Sequence, residues 1–510
     1  MLARTFGCTL LGLEAHLVEV EVDVGQGLPG FNIVGLPDPS VQEARERVRA
    51  AIRNSGFDFP ARRITVNLAP ADLRKEGPGL DLAMAVAVLG ATEQIPVAPL
   101  GEHLFVGELS LEGGLRPGVG ILVIAAALKE KRRPFTLVVP ASNAAEGAIL
   151  GGVRVLGANT LAQVAAFLRG EEELPAAVVD REMLPPPAAG GSDLSEVVGQ
   201  QLAKRALEIA AAGQHNILLV GPPGTGKTML ARRLPGLLPP MTLEESLETS
   251  KIFSIAGLLP PERPLITTRP FRAPHHTASP VSIIGGGRNL RPGEVTLATH
   301  GVLFLDELPE FPREVLEALR QPLEDRQVTV SRAAGTVVYP ADFLLAASAN
   351  PCPCGRLGTP GQSCRCSPRE LQRYRSRFSG PLLDRLDLIV EVPALDYRDL
   401  EKGDGGPSSA EVRERVSAAR QRQQARLAAV GLHANAQMEA RHVRHFCRLS
   451  RRARVLLREA YTRLHLSLRG HDRLLKVART IADLAGAEVI QENHLAEAVQ
   501  FRSWTWEQEY

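Results

Sequence analysis

The stretch Asn216–Thr228 reads NILLVGPPGTGKT, a short apolar run followed by the pattern G-x-x-x-x-G-K-T. The apolar run predicts a buried strand, and the glycine-rich segment predicts a turn into a helix. Backbone N–H groups of such a turn bind phosphate, the lysine reaches the outer phosphates and the threonine hydroxyl binds Mg²⁺. An ordinary Gly/Pro turn is the alternative. We predict a nucleotide-binding loop formed by Gly221, Pro222, Pro223, Gly224, Thr225, Gly226, Lys227 and Thr228.

A second apolar run ends in two acids. Residues Gly301–Glu307 read GVLFLDE, which predicts another buried strand. Beside a nucleotide, Asp306 would complete the Mg²⁺ shell, and Glu307 would orient and polarise the attacking water. The alternative is an exposed acidic strand end.

A third strand candidate ends in an amide. The segment Asp342–Asn350 reads DFLLAASAN, in which an apolar run leads to Asn350. This side chain would contact the γ-phosphate or the attacking water. We therefore expect Asn350 to work beside Glu307.

One arginine stands in an apolar setting. Within Ser379–Leu388, SGPLLDRLDL, the sequence places Arg385 where an arginine needs a partner. The first interpretation is that Arg385 supplies positive charge to the active site of a neighbouring subunit. The second is a salt bridge within the chain to Asp384 or Asp387, and spacing alone does not separate the two.

These motifs, in this order, resemble an AAA+ ATPase of the branch that holds magnesium chelatase and the MCM helicases. The chain is similar to the ComM/YifB family of that branch in VVGQQLAKRALEIAAAGQHNILLVGPPGTGKT, FRAPHHTAS, GEVTLATHGVLFLDELPEF, ASANPCPCG and RGHDRLLKVARTIADL. The similarity covers nearly the whole chain. It implies ATP and Mg²⁺ as cofactors, a homo-hexamer, and contact of Val198 and Gly199 with the nucleotide.

The resemblance implies an α/β P-loop NTPase core of AAA+ type with flanking domains. Residues 1–172 mix strand and helix patterns, which predicts an α+β domain. Its layout resembles the Lon protease fold. In this sequence, Gly79 and Leu122 occupy the positions of the protease's catalytic Ser and Lys. Because both the nucleophile and its base are missing, we expect no proteolysis. A linker rich in Pro, Ala and Gly is predicted for 173–192, the ATPase core for 193–395 and a helical lid for 396–510.

Composition narrows the class of protein. The 510 residues are 44% apolar and carry a net charge of +2, so binding to nucleic acid requires local basic patches. The N-terminal stretch Met1–Leu13 is too short and interrupted for a convincing secretory signal. We expect a cytoplasmic protein with no membrane partner.

Four of the six cysteines cluster in two C-x-C pairs. Such pairs can close a tetrahedral thiolate site for zinc, whereas reduced free thiols and disulfides are the alternatives. The candidate ligands are Cys352, Cys354, Cys364 and Cys366.

Two segments are candidate DNA-binding hairpins. Residues 263–291 form an insertion that carries Arg288 and Arg291, and the resemblance implies a hairpin inserted into the second helix, facing a central pore. Residues 327–339, QVTVSRAAGTVVY, predict a hairpin with Arg332 at its tip. By resemblance to MCM, this tip grips a DNA phosphate, whereas an arginine on a solvated turn is the alternative.

The C-terminal part reads as helices, the first opened by a capping box of Ser408 and Glu411. Many arginines follow, and they either bind phosphate or form a solvated face. Arg469 aligns with the sensor-2 arginine of related lids, which closes on the γ-phosphate. Arg473, one helical turn on, is the second choice.

Three functions compete. The first is a hexameric DNA motor that drives branch migration of recombination intermediates during natural transformation, as the resemblance implies, with a recombinase as a further partner. The second is a metal-insertion ATPase like magnesium chelatase, whose motor subunit has no Lon-like domain. The third is a protein-remodelling or protease-partner ATPase. The absence of the protease's Ser/Lys pair counts against it.

Overall fold

The structure, a computed structural model, divides into an N-terminal mixed sheet, a central parallel sheet and a C-terminal group of helices. It describes residues 2–131, 135–179, 192–287, 290–332, 335–357, 363–378, 380–395 and 406–502. Within these residues, no helix is long and apolar enough to cross a lipid bilayer.

The N-terminal part is a seven-stranded mixed sheet with helices on both faces. The alternating valines of residues 18–24 form one buried face of its second strand, as the sequence predicts. Asp38 caps the first helix by accepting a hydrogen bond from the Val41 N–H at 2.7 Å. Its elements are β1 (Leu2–Leu11), β2 (Glu14–Gly25), β3 (Gly30–Val34), α1 (Pro39–Asn54), β4 (Arg63–Ala69), α2 (Asp81–Ala91), β5 (His103–Phe105), β6 (Glu108–Leu109), β7 (Leu115–Arg116), α3 (Ile121–Glu130), β8 (Thr136–Pro140), α4 (Ala144–Ala148), β9 (Val155–Ala158) and α5 (Leu161–Leu168).

The strand order in this sheet is β3-β4-β2-β1-β5-β8-β9. Strand β1 runs antiparallel to β2 and parallel to β5, and β8 runs parallel to both of its neighbours. The N-terminal fold extends beyond residue 172, because Leu174 is buried in its core and Ala176 bridges to Leu156. Seven residues of the predicted linker, 173–179, therefore belong to this part, and 180–191 lie outside the described residues.

The central part is built on a second sheet. Its elements are α6 (Gln201–Gly213), β10 (Ile217–Val220), α7 (Lys227–Ala231), α8 (Leu234–Leu237), α9 (Leu243–Ala256), β11 (Phe271–Arg272), α10 (Pro280–Ile284), β12 (Gly285–Gly286), β13 (Arg291–Pro292), α11 (Glu294–Leu297), β14 (Val302–Leu305), α12 (Arg313–Ala318), α13 (Arg320–Asp325), β15 (Gln327–Arg332), β16 (Gly335–Pro340), β17 (Leu344–Ala349), α14 (Pro368–Arg375), α15 (Gly380–Leu383) and β18 (Leu388–Glu391). Three of its strands match the apolar runs that precede the phosphate loop, the paired acids and Asn350. Those three strand predictions are confirmed.

The central sheet is parallel throughout, in the order β11-β14-β17-β10-β18. Ile217, which begins β10, lies level with Leu388, which begins β18. All carboxyl ends therefore meet at one edge, which we call the carboxyl edge, and all amino ends meet at the other, the amino edge. In open α/β sheets, ligands bind outside the carboxyl ends of the strands.

The C-terminal part consists of α16 (Ser409–Leu427), α17 (Ala440–Phe446), α18 (Arg451–Arg463), α19 (Leu468–Leu484) and α20 (Glu492–Gln500). The predicted capping box of Ser408 and Glu411 is confirmed. These helices share one hydrophobic core with α6 and the central sheet. Five arginines of α16 bond within the chain, to Gly236, Glu208, Ala211 and Asp483; they are Arg413, Arg415, Arg420, Arg422 and Arg426. These five arginines of α16 are therefore anchored within the chain, although Arg415 and Arg422 remain exposed.

The N-terminal part packs tightly on the central part. The N–H of Gly120 donates to the Ser254 carbonyl at 3.2 Å, and the buried Glu146 carboxylate accepts a hydrogen bond from the Ser254 hydroxyl. At the β1–β2 turn, a Cβ added to Gly12 would lie only 2.2 Å from a methyl carbon of Val337 in β16. The N-terminal part is thus fixed to both α9 and the β15–β16 hairpin.

Candidate nucleotide-binding and hydrolysis site

The predicted phosphate loop joins β10 to α7 at the carboxyl edge. Gly224 and Gly226 have φ angles of +80° and +88°, which favour glycine. At Gly221, an added Cβ would lie 2.1 Å from the Val392 carbonyl oxygen, so the loop also needs glycine there for close packing. The positive end of α7 therefore faces the space enclosed by the loop, as a phosphate site requires.

Lys227 is buried inside this loop. Its Nζ donates to the carbonyls of Gly221 at 2.7 Å and Pro222 at 2.8 Å, and to Asn350 Oδ1 at 3.2 Å. Burial lowers the pKa of Lys227, and the nearby carboxylates of Asp306 and Glu307 oppose that shift. A cation held among neutral carbonyls in this way is well placed to bind an anion.

The Mg²⁺ ligands predicted from sequence lie together. Thr228 Oγ1 donates to Asp306 Oδ2 at 2.8 Å, and the other Asp306 oxygen accepts a hydrogen bond from the Ser348 hydroxyl. A hydroxyl and a carboxylate beside phosphate form the hard oxygen set that Mg²⁺ prefers. The residues present therefore fit the metal that the sequence implies.

Glu307 extends from the same strand end into solvent. Its backbone has φ +55°, and its N–H donates to Ser348 Oγ at 3.1 Å, which fixes the turn after β14. Its side chain is 54% exposed, and Oε2 lies 3.7 Å from His276 Nδ1. The carboxylate is thus free of internal hydrogen bonds that would hold it away from a water molecule, among the contacts of the described residues.

Asn350 follows β17 and contacts Lys227, so the structure brings it into the phosphate site. The backbone carbonyl of Asn350 accepts a hydrogen bond from the Tyr374 hydroxyl at 2.9 Å. Val198 and Gly199 lie at the same edge, because Gln200 Nε2 donates to the Pro393 carbonyl at 2.8 Å, two residues after β18 ends. A Cβ added to Gly199, which has φ +62°, would lie 2.9 Å from Leu395.

Sequence reasoning did not assign Ser348 and His276 to this site. Ser348 lies in β17 two residues before Asn350, which follows the strand, so the alternation of the extended chain could have placed the two on the same face. His276 follows the edge strand β11, which pairs with β14, and its ring lies 4.1 Å from that of His275. No local pattern in the sequence predicts its contact with Glu307.

Arg385 lies at the opposite, amino edge, three residues before β18. Among the described residues, its ion pair is with Glu324 of α13, and neither Asp384 nor Asp387 is its partner. The predicted partners within the chain were therefore wrong, because Asp387 instead contacts His215 Nδ1 at 3.4 Å and Arg473 Nε at 3.7 Å. Burial alone would raise the pKa of Asp387, but the nearby His215, with Arg473 and Lys476, lowers it.

The two sensor-2 candidates both lie in α19. Arg469 is exposed in the first turn of α19, and Arg473 is one turn further on. Burial lowers the pKa of Arg473; Asp387 and Asp384 raise it, and the positive charges of Arg385 and Arg469 lower it further. Arg473 therefore lies among both acidic and basic side chains, and its ion pair with Asp387 places it near the amino end of β18.

The β15–β16 hairpin is confirmed, with Arg332 paired to Gly335 across its tip. In the second candidate segment, α10 and α11 flank a small hairpin, β12–β13, in which Arg291 is exposed. Arg288 lies outside the described residues. Other arginines of that segment are internal, since Arg269 bonds to Glu245 and Arg272 to Glu294.

The four clustered cysteines converge although they span a long loop. Their sulfur atoms all lie within 4.8 Å of one another, and three pairs are separated by 3.4 to 3.7 Å. A tetrahedral zinc site, with Zn–S bonds of about 2.3 Å, needs sulfur separations of about 3.8 Å. Burial raises the pKa of the Cys354 thiol, but hydrogen bonds from the backbone N–H groups of Arg365 and Arg356 and from the thiols of Cys352 and Cys366 together lower it to about 6. The thiol set fits zinc.

The positions that correspond to the protease's Ser and Lys carry no catalytic groups. Leu122 is fully buried in α3, and Gly79 lines a cavity of about 280 Å³ between the N-terminal part and Arg291 of β13. Cys8 also lines this cavity, but burial raises the pKa of its thiol to about 12, so it is a poor nucleophile.

Comparisons with known proteins cover all three parts. The family model described as magnesium chelatase, subunit ChlI, matches residues 193–400, that of subunit ChlI of Mg-chelatase matches 20–143, and that of the ChlI C-terminal matches 406–502. The chain is 46% identical over 508 residues to competence protein ComM of Haemophilus influenzae, across 98% of this chain and 97% of that protein. It is also 46% identical to YifB of Escherichia coli, across 97% of this chain and 95% of that protein. Identity to the magnesium-chelatase 38 kDa subunit of Rhodobacter capsulatus is 26%, across 41% of this chain and 57% of that protein.

Proposed function

The chain belongs to the ComM/YifB family of magnesium chelatase-like AAA+ ATPases, and from this premise we propose that it is a hexameric DNA motor. In this proposal, ATP hydrolysis between subunits drives branch migration of recombination intermediates in the cytoplasm. The incoming DNA of natural transformation is the substrate, in keeping with the name of the competence protein it resembles. Recombinases or other recombination proteins are the expected partners.

The separation of the two edges is the observation that carries the proposal. The phosphate loop, Asp306 and Asn350 lie at the carboxyl edge, whereas Arg385 precedes the first residue of β18 at the amino edge. Four strand residues, each rising about 3.3 Å, place more than about 10 Å between them. Arg385 is thus poorly placed to serve the nucleotide of its own chain, and we propose that it serves that of a neighbour. A ring of subunits satisfies this geometry.

Each group at the carboxyl edge then has a task. The loop Gly221–Thr228 binds the phosphates of ATP. The segment with Val198 and Gly199 contacts the nucleotide. Thr228 and Asp306 hold Mg²⁺, which neutralises charge on the phosphates. Glu307 positions the attacking water, and Asn350 fixes Lys227 and the γ-phosphate. At the amino edge, Arg385 with Arg469 or Arg473 stabilises the charge that develops on the neighbour's phosphates.

DNA contact is assigned to the two hairpins. We assign β12–β13, flanked by α10 and α11, as the helix-2 insert of this branch, with Arg288 and Arg291 as phosphate ligands. The β15–β16 hairpin carries Arg332 and follows α13, whose Glu324 pairs with Arg385. A change at the subunit interface can therefore reach a DNA-facing tip through one short helix. The cysteine cluster holds a structural zinc ion, and the N-terminal part is an inactive Lon-like module.

ATPase rates with no DNA, single strands, duplex and a four-way junction test the proposal. We expect the four-way junction to stimulate turnover most strongly, and stimulation to fall steeply as salt rises, because phosphate contacts release counterions. Equal rates in all four conditions would instead favour a metal-inserting or protein-remodelling ATPase.

Arg332→Ala should reduce DNA-stimulated ATPase and strand movement while leaving the basal rate unchanged. Its removal deletes about one phosphate contact, so the slope of affinity against salt should decrease by about one unit. Arg313→Ala is the matched control, because Arg313 is 86% exposed and lies outside both hairpins. Loss of basal and stimulated rates together would indicate misfolding, whereas normal DNA stimulation in the folded variant would remove Arg332 from the DNA interface.

A further inference from the structure

The cysteine cluster lies directly against the phosphate-binding loop. The turn Cys352–Gly355, which we call the cysteine turn, begins two residues after Asn350, and Cys352 is fully buried. Its backbone is closed by a hydrogen bond from the Gly355 N–H to the Cys352 carbonyl at 2.9 Å. A further N–H, that of Leu357, points at Cys352 Sγ from 3.4 Å. The first sulfur ligand is therefore held at a fixed distance from the nucleotide site.

Gly355 makes the contact. A Cβ added there would lie 2.5 Å from Pro223 Cδ and 3.1 Å from Pro223 Cγ, so the backbone of the cysteine turn packs on the proline ring of the phosphate loop. Gly355 also has φ +76°, which favours glycine. Pro223 is a rigid part of the loop, so a displacement of the cysteine turn moves the loop that surrounds the phosphates.

The cysteine cluster also adjoins a second chain segment that contacts Asn350. Helix α14 begins at Pro368, two residues after Cys366, with Ser367 as its cap. The same helix carries Tyr374, whose hydroxyl donates a hydrogen bond to the backbone carbonyl of Asn350 at 2.9 Å. Asn350 in turn contacts Lys227. Joining Cys352 and Cys354 to Cys364 and Cys366 through one ion therefore fixes both chain segments that hold Asn350.

We propose that the cysteine cluster, with zinc bound, is a brace for the phosphate loop, so that metal occupancy sets the affinity for ATP. The inference rests on the zinc centre of the proposed function and adds a task to it. Metal binding and local folding are one equilibrium in such sites, so loss of zinc leaves the cysteine turn free to leave Pro223. Nucleotide affinity then falls although every residue of the phosphate loop is intact.

Two variants separate metal binding from the brace. Purified wild-type protein should hold about one zinc ion per chain, and Cys364→Ser should hold none. Gly355→Ala should keep its zinc, because no ligand changes, but its methyl group would push against Pro223. Both variants should bind a non-hydrolysable ATP analogue with Mg²⁺ about ten-fold more weakly, the value of one hydrogen bond to a charged group.

Gly56→Ala is the matched control for Gly355→Ala. Gly56 has φ +84° with nothing within 4 Å of an added Cβ, so the substitution carries the same backbone strain without a contact. It should bind the analogue as wild type does, and circular dichroism should show all variants folded. If folded Gly355→Ala binds the analogue like wild type, the brace is wrong while the zinc centre stands. If wild-type protein contains no zinc, both the zinc centre and the brace are wrong.

Discussion

Glu307→Gln should bind ATP and Mg²⁺ as wild type does and lose about two to four powers of ten in turnover, the usual contribution of a catalytic base. Glutamine keeps the size of the side chain but cannot accept a proton from the attacking water. The fold should not change, because the Glu307 side chain is 54% exposed and its backbone N–H makes the bonds that fix the turn. Single-turnover rates and analogue binding measure the two effects separately.

Glu310→Gln is the control for this substitution. Glu310 lies three residues further on and is 45% exposed, but its carboxylate pairs with Arg377 at 2.7 Å, outside the phosphate site. A surface ion pair of this kind contributes about 1 kcal/mol or less to stability, so turnover should remain near that of wild type. Normal turnover in Glu307→Gln would remove Glu307 from the mechanism.

Arg385→Ala should cost about three powers of ten or more in turnover, the range for an arginine that stabilises transferred phosphate from a neighbouring subunit. ATP binding should persist, because the phosphate loop lies at the other edge of the sheet. The substitution leaves Glu324 without this partner, but Glu324 is 52% exposed, so no buried charge is stranded. Turnover and analogue binding, measured above the concentration at which the protein assembles, test the expectation.

Glu324→Gln distinguishes the two interpretations of Arg385. If Arg385 serves mainly to pair with Glu324, the two substitutions should lower the melting temperature and turnover alike. If Arg385 serves a neighbour's nucleotide, Glu324→Gln should retain most of the turnover because the guanidinium remains. Equal losses in both variants would favour the internal ion pair.

The sequence predicted what local backbone patterns encode. The phosphate loop, the three strands that carry Asp306, Glu307 and Asn350, and the hairpin around residues 327–339 all follow from short apolar periods and glycines. The capping box at Ser408 did so too, since its two hydrogen bonds span only three residues. Because parallel strands end at a common edge, these local patterns were enough to bring the phosphate loop, the paired acids and Asn350 together.

What the sequence did not predict depends on contacts between distant residues. The ion pair of Arg385 is with Glu324, which lies 61 positions away, so adjacent aspartates were the natural but wrong choice. From the sequence alone, five arginines of α16 suggest a surface that binds a polyanion, but the packing of α16 on α6, α8 and α19 gives them internal partners. Likewise, the Pro- and Ala-rich composition after residue 172 hid the burial of Leu174.

Mixing two inactive variants tests most directly whether each active site is shared between subunits. Lys227→Ala loses the phosphate ligand but keeps Arg385, and Arg385→Ala keeps the phosphate loop. Some interfaces of a mixed ring would contain an intact loop facing an intact arginine. The account predicts that ATPase activity rises above the sum of the separate variants and is greatest near equal amounts. Activity that equals that sum at every ratio, in mixtures shown to co-assemble, would place Arg385 in its own subunit's site and contradict the account.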